Sequence, residues 1–398
     1  MSYIDEMLKK LCPSGVEYKK VKDEYTRIRG TAITAGKMKE IANDEGNIRI
    51  FAGGKTVIDA FEKDIPNANI TQVPAVLVQS RGIIDVVYYD KPFTFKNEMW
   101  AYTHEEQLSV KYLYYVLKIN VPKFQNAASG MGSMPQISLP VTEELEIPVP
   151  PLEVQREIVQ ILDKFTLLSA ELSAELSARK KQYEYYKSSL FDFDESVPTI
   201  KIGDFTRVFS ASRVHKSDWK SEGVPFWRSS DLISFYNGVE NSRGKVYISQ
   251  ELYEKLSAKS GKIEENDILV TGGGTIGIPY IVPSNDPFYV KDADLLCIKK
   301  NDVVMTKYLY HYFLSQEFKD YLMGITHDAT IAHYTISQIK DTPIPVPSID
   351  KQKKIVEILD KFEDLTKNIS VGLPAEIEAR NKQYEYYRDK LLTFDKAV

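Results

Sequence analysis

A chain of 398 residues is too long for one ordinary domain, and 43% hydrophobic against 27% charged residues excludes a disordered or fibrous polymer. Two cysteines, Cys12 and Cys297, rule out a disulfide framework or a four-ligand cysteine zinc site, and no apolar run is long enough to span a membrane. A formal net charge of −5 lacks the basic excess of a stand-alone nucleic-acid binder, so any DNA binding falls to local patches or to a basic partner.

Met1–Leu11 carries Asp5, Glu6, Lys9 and Lys10 where a secretory signal would be apolar, which with the scarce cysteines predicts a cytoplasmic protein. Residues 1–150 read as a first α+β domain, with strands at Val73–Val78 and Ile83–Tyr89 and a helix at Val110–Ile119. A long amphipathic helix occupies 151–193, its stripe running Val154, Ile158, Ile161, Phe165, Leu168, Leu172, Leu176, Tyr183, Tyr186 and Leu190. Residues 194–347 form a second α+β domain, with strands at Ile268–Val270, Tyr280–Val282 and Leu295–Lys299 and a helix at Thr306–Met323. A second long helix fills 348–398, its stripe passing through Ile355, Ile358, Phe362, Leu365, Ile369, Leu373, Ile377, Tyr384, Tyr387 and Leu391.

The helical regions are copies of each other. Ile147–Pro150 (IPVP) and Ile161–Phe165 (ILDKF) recur as Ile344–Pro347 and Ile358–Phe362, both at an offset of 197. Lys181–Tyr186 (KQYEYY) recurs as Lys382–Tyr387 at an offset of 201, so the second copy holds four more residues after Phe362. Among them Gly372 and Pro374 predict a break in the second helix. A fainter echo joins Val16–Asp23 to Val197–Asp204, whereas the domains between share almost nothing. Each apolar stripe needs a partner, and a chain that leaves one helix and returns to the other closes most simply as an antiparallel pair. The predicted fold is α+β: two mixed domains separated by two long antiparallel helices of coiled-coil type, related by an internal pseudo-twofold duplication.

No motif carries chemistry. Gly272–Thr275 lacks the Lys-Ser/Thr and the following helix of a phosphate loop, and Phe51–Lys55 (FAGGK) reads as another turn. Asn285–Phe288 (NDPF) has one proline where the amino-methyltransferase tetrapeptide has two, and reads as a turn. His327, Asp328 and His333 match no metal-ligand spacing. Neither a catalytic residue nor a metal or cofactor site is expected in this chain.

The repeated motifs resemble those of type I restriction–modification specificity subunits over essentially the whole chain. The resemblance rests on Pro135–Ser138, Ile147–Leu152, Gln155, Ile158 and Ile161–Asp163. The stretch Arg380–Asp389 and the tandem Leu-Ser-Ala-Glu units at Leu168–Glu171 and Leu172–Glu175 resemble the type IC branch. The second copy departs from the pattern, with Tyr334-Thr335-Ile336 in place of Pro135-Gln136-Ile137. The resemblance implies two target-recognition domains, each reading half of a split double-stranded DNA sequence. It implies helices that set the spacing and dock two methyltransferase subunits, with restriction subunits outside them. S-adenosylmethionine, ATP and magnesium would belong to those partners, and the chain itself would be a non-catalytic subunit.

Reading bases takes forked side chains, and gripping phosphates takes cations around them. Polar and basic runs offer, in the first domain, Arg27, Arg29, Lys37, Lys39, Lys55, Gln79, Arg81, Lys96, Asn97, Gln125, Ser129, Ser133 and Gln136. The second domain offers Arg207, Ser212, Arg213, Lys216, Arg228, Ser229, Ser230, Thr271, Thr275, His327, Thr330 and His333. Trp100 and Trp227 read as core aromatics. For methyltransferase docking the repeated positions are Gln155, Gln182, Tyr183 and Tyr186 in the first copy and Gln352, Gln383, Tyr384 and Tyr387 in the second. A protein of another class, a helix-paired adaptor joining two proteins without touching nucleic acid, suits the acidic charge equally well. A gel shift with methyltransferase present separates the two.

Overall fold

The structure is a computed structural model, and it describes residues 3–129, 134–236, 244–326, 333–367 and 371–397. The first half runs α1 (Tyr3–Leu11), β1 (Tyr18–Lys20), α2 (Val21–Glu24), β2 (Thr26–Arg29), α3 (Ala35–Ile41), β3 (Ile48–Phe51), β4 (Val57–Ala60), β5 (Ala75–Gln79), β6 (Asp85–Tyr89), β7 (Phe93–Phe95), β8 (Trp100–Thr103), α4 (Gln107–Asn126), α5 (Pro140–Glu143), β9 (Glu146–Pro148) and α6 (Leu152–Ser189). The second runs β10 (Thr199–Lys201), α7 (Ile202–Phe205), β11 (Val208–Ser210), β12 (Val224–Trp227), α8 (Ser229–Tyr236), β13 (Tyr247–Ile248), α9 (Gln250–Ser260), β14 (Ile268–Thr271), β15 (Pro279–Ile281), β16 (Tyr289–Val290), β17 (Leu295–Ile298), α10 (Thr306–Phe313), α11 (Gln316–Thr326), α12 (Ile336–Asp341), β18 (Pro343–Pro345), α13 (Ile349–Lys367) and α14 (Leu373–Leu391). The chain divides into two compact units: Met1–Ser173 with Ile377–Val398, and Ala174–Glu376.

Each unit repeats one strand plan, although the sequences of the two domains have little in common. A four-stranded sheet is ordered β2-β8-β5-β6 in the first unit and β11-β17-β14-β15 in the second. A three-stranded sheet is ordered β4-β3-β7 and β13-β12-β16, and in each the central strand is parallel to one neighbour, β7 or β16. A two-stranded ribbon ties the start of each domain to its end, Tyr18 opposite Pro148 and Thr199 opposite Pro345. The central strands β5 (AVLVQ) and β14 (ILVT) are buried along their whole length, because sheet neighbours and helices cover both faces.

Against sequence expectation, the first domain helix is longer than Val110–Ile119, extending over Gln107–Asn126. The expected helix Thr306–Met323 is two helices. The buried Ser315 hydroxyl accepts the Phe318 N–H at 3.2 Å, starting α11 afresh and ending α10 before it.

The repeated helices pair antiparallel within each unit. In the first, Phe165 of α6 stacks on Tyr387 of α14 at 5.5 Å and meets Tyr384 at 6.3 Å, while further along α6 the Ser169 hydroxyl reaches back to Asn381 at 3.4 Å. In the second, Tyr183 and Tyr186 of α6 close on Phe362 of α13 at 6.3 and 5.2 Å, and Lys367 lies over the Tyr183 ring. The ILDKF of one copy therefore meets the KQYEYY of the other, reciprocally. Val371 and Gly372, just before α14, are in a turn, where Gly372 and Pro374 predict a break. The stripe needs one correction: Leu162 and Leu359 are fully buried while Ile358 is 36% exposed, because these helices pack on the domain core as well as on each other. Among the described residues no helix is long and apolar enough to cross a membrane.

Candidate nucleic-acid interface

Each unit opens a cleft at the carboxyl end of the parallel strand pair in its three-stranded sheet. In the first unit the turns after β3 and β7 meet the β5–β6 turn around about 540 Å³, lined by Lys39, Arg81, Lys96, Glu98, Gly53 and Met134 among others. In the second unit the segments after β12 and β16 enclose about 760 Å³, lined by Arg213, Lys216, Arg228, Ser229, Ser230, Lys291, Asp292 and Asp294 among others. Two contacts recur in both clefts. Lys96 N–H donates to Phe51 O at 3.0 Å, and Lys291 N–H to Trp227 O at 2.8 Å. Lys96 pairs with Glu98 at 2.9 Å, and Lys291 with Asp294 at 2.8 Å.

These clefts answer the charge problem. Three cations against one carboxylate line the first, and four against two line the second, so an acidic chain presents locally positive hollows. Lys291 is absent from the sequence-predicted set, since only the parallel pairing of β12 with β16 reveals it as the counterpart of Lys96.

The predicted contacts divide by what their side chains do. In the second cleft, Asp231 grips Arg228 through Nε at 2.7 Å and Nη2 at 2.9 Å, and Gly244 O takes a further Nη2 bond. Hydrogen bonding to Asp231 raises the Arg228 pKa above its usual value, so the fork is permanently charged and fixed in direction. Arg213 and Lys216 are exposed on the same cleft, as Lys39 and Arg81 are on the first. Asn97 and Lys55 are exposed at the β7–β8 and β3–β4 turns. Gly54 completes that second turn at φ +73°, where a side chain is strained.

Others lie apart from the clefts. Arg27 and Arg29 sit on β2, not in a loop, and Arg27 pairs with Glu143 at 3.4 Å. Lys37 pairs with Glu40 on α3. Gln125, on α4, donates to Ile84 O. Ser129 and Gln136 pair through their backbones. Arg207 donates to Ser260 O, and the Ser212 N–H to the Tyr289 hydroxyl. Thr275 and His333 are exposed beside the β14–β15 turn. Ser133, His327 and Thr330 lie outside the described residues.

Two contacts are corrected. Gln79 is buried and donates to Gly54 O at 3.1 Å. Thr271 is buried too, its hydroxyl donating to Thr275 O and accepting the Ile278 N–H. Both are committed to bonds that hold turns of their own chain. Gly272–Thr275 joins two antiparallel strands, and a Cβ on Gly272 would lie 2.7 Å from Ala293 O, so the glycine serves close packing and not phosphate binding. Asn285 likewise caps a turn, accepting the Glu265 N–H. Trp100 is buried and Trp227 packs on Tyr280 and Phe288, as core aromatics do.

The docking set needs larger correction. Gln155 and Gln352 are buried and donate to Pro150 O at 2.8 Å and Pro347 O at 3.0 Å, so they bind their own chain. Tyr183 is buried, Tyr186 and Tyr384 are half-buried, and Tyr387, 42% exposed, stacks on Phe165. Gln182 and Gln383 stay exposed. Among the described residues His311, Asp360 and Glu363 come together. Lys307 and His311 hold Asp360, and Tyr310 and Lys367 hold Glu363, so the chain supplies its own counter-cations there.

The family described as "Type I restriction modification DNA specificity domain" matches this chain twice, over residues 13–179 and 195–379. The EcoR124I/EcoR124II specificity subunit of Escherichia coli, a type I restriction enzyme component, is 30% identical over 412 residues, covering 100% of this chain and 98% of its own. The fold is similar to that of the type I restriction–modification S subunit from M. genitalium, with a TM-score of 0.59 at 16% identity over 95% of this chain and 96% of that one. A chain from a structure of type I R-M complex assembly gives 0.56 at 11% identity over 96% and 98%.

Proposed function

Because the chain belongs to the type I restriction–modification DNA specificity family, we propose that each unit reads one half of a bipartite DNA target through its own cleft. The observation that carries this reading is a positively charged hollow at the same topological place in both units, lined by loops whose sequences differ. A shared scaffold with different linings is what two different half-targets require. An adaptor that never meets nucleic acid gives no reason for either cleft.

The helices fix the distance between the halves and seat two methyltransferase subunits, with restriction subunits joining the full complex in the cytoplasm. Adenine methylation with S-adenosylmethionine, and ATP- and magnesium-dependent cleavage, fall to those partners. In this chain Arg228, whose Nε and Nη2 are held by Asp231 and Gly244 O, keeps Nη1 in a fixed direction for a single base-edge contact, while Arg213 and Lys216 suit phosphates.

The two roles separate by titration of the chain with its methyltransferase subunit, in gel shifts across salt. Arg213→Ala or Lys216→Ala weakens binding to all sequences alike and lowers the salt slope by about one for each phosphate no longer neutralised. Arg228→Ala costs about 1–3 kcal/mol on the true target and relaxes one position of one half-target only. Base preferences altered in both halves by Arg228→Ala, or left unaltered, would contradict the assignment. Failure of the parent complex to prefer any sequence would favour the adaptor.

A further inference from the structure

The two clefts differ in where their apolar side chains lie. In the first, Ile83 is 43% exposed and Met134 60%, and both line the hollow together with the cations Arg81 and Lys96. In the second, Val214 and Phe226 are buried and Trp219 is half-buried, so charged and hydroxyl groups make up its open surface.

Backbone bonds set Ile83 and Met134 in the same cleft, although they are distant in sequence. Gly82 N–H donates to Pro135 O at 2.8 Å, and Arg81 bridges to Gln136, which joins the β5–β6 turn to the segment that carries Met134. Gly54 N–H donates to Arg81 O at 3.1 Å and brings in the β3–β4 turn. Gly82 holds φ +78°, and Gly274 in the corresponding β14–β15 turn holds +75°, yet the residue that follows is Ile83 in one unit and Thr275 in the other. The turn is kept while the side chain at its tip changes from hydroxyl to aliphatic. That is the pattern of a scaffold whose contacts follow its own half-target.

Exposed aliphatic groups gain free energy when an apolar surface covers them, and the cations beside these two draw a polyanion. On the base edges of the major groove a duplex offers one apolar group, the C5 methyl of thymine. We propose that Ile83 and Met134 read thymine methyl groups in the half-target bound by the first unit. The inference rests on the function proposed above and names the base feature that this cleft selects. Cytosine in place of thymine would set the N4 amino group against both side chains and leave them uncovered. A half-target with a methylatable adenine always holds at least one thymine, the one opposite it.

Deoxyuridine in place of thymine removes the methyl, keeps O4 and the base pair, and leaves the protein untouched. Duplexes with one such replacement at each thymine of either half are titrated against the full chain with its methyltransferase subunit. The parent loses about four-fold in affinity for each methyl that the first unit reads, as expected for one buried apolar carbon. Ile83→Ala and Met134→Ala each shrink that difference and together abolish it, while any penalty in the other half stays as it was. Melting temperatures remain parental, because both side chains are exposed. Sequence-specific binding that is indifferent to every deoxyuridine would overturn the inference and leave the DNA-reading function intact. If the two variants then weaken methyltransferase binding without DNA, the patch is a protein contact instead. Deoxyuridine penalties that persist in the double variant would overturn it as well, since the methyls are then read elsewhere. A parent complex with no sequence preference would instead remove the function on which the inference rests.

Discussion

A variant in which Leu172–Glu175 is duplicated will, with its methyltransferase subunits, direct methylation to targets with the same specified bases but one or two more unread base pairs between the halves. Methylation at the parental sites will disappear. Helix α6 is continuous from Leu152 to Ser189, and Leu168-Ser169-Ala170-Glu171 and Leu172-Ser173-Ala174-Glu175 are already tandem copies of one helical step. Four more residues lengthen a helix by about 6 Å and rotate the segment beyond them by only about 40°. Leu168, Leu172 and Leu176 are half-buried along the stripe, and the added leucine continues it. At ~3.4 Å per base pair, 6 Å is less than two base pairs of B-DNA. Methylation-site mapping of the variant beside the parent is the deciding measurement. An unchanged spacer means that the helix is not the ruler, and altered bases mean that it does more than measure.

The duplication was legible because reciprocal packing leaves identical words at both ends of the pairing. ILDKF and KQYEYY recur since Phe165 needs Tyr384 and Tyr387 as Phe362 needs Tyr183 and Tyr186. The helix break was legible as well, because Gly372 and Pro374 act locally. The clefts were legible only in part. Arg81, Lys96, Arg213 and Arg228 stand out as cations in polar runs, but Lys291 is brought to Arg228 by a parallel strand pairing that no local pattern announces. Gln155 and Gln352 misled for a related reason. A residue that anchors its own backbone in both copies is repeated as faithfully as one that meets a partner, and only burial tells them apart.

That burial gives the two glutamines unequal weight. Gln352 is fully enclosed: its Oε1 accepts the Met305 N–H at 2.9 Å, and its Nε2 donates to Val303 O at 3.3 Å and Pro347 O at 3.0 Å. It thereby ties the first turn of α13 to the segment that starts α10. Gln352→Ala strands three backbone groups at about 1–3 kcal/mol each where they stay buried, for an expected loss of about 3–5 kcal/mol after relaxation. Gln155 makes one such bond, to Pro150 O, and its Oε1 is buried without a partner. Gln155→Ala therefore strands a single carbonyl, removes an unsatisfied acceptor at the same time, and costs about 1 kcal/mol. Urea unfolding combined with amide exchange in each unit measures both: Gln352→Ala lowers protection in α10 and α13 and leaves the first unit unchanged, while Gln155→Ala barely moves either. Equal losses from the two substitutions would mean that these amides act through shape alone. Unequal losses would mean that one sequence motif, copied into two settings, anchors its helix through three hydrogen bonds in one unit and through one in the other.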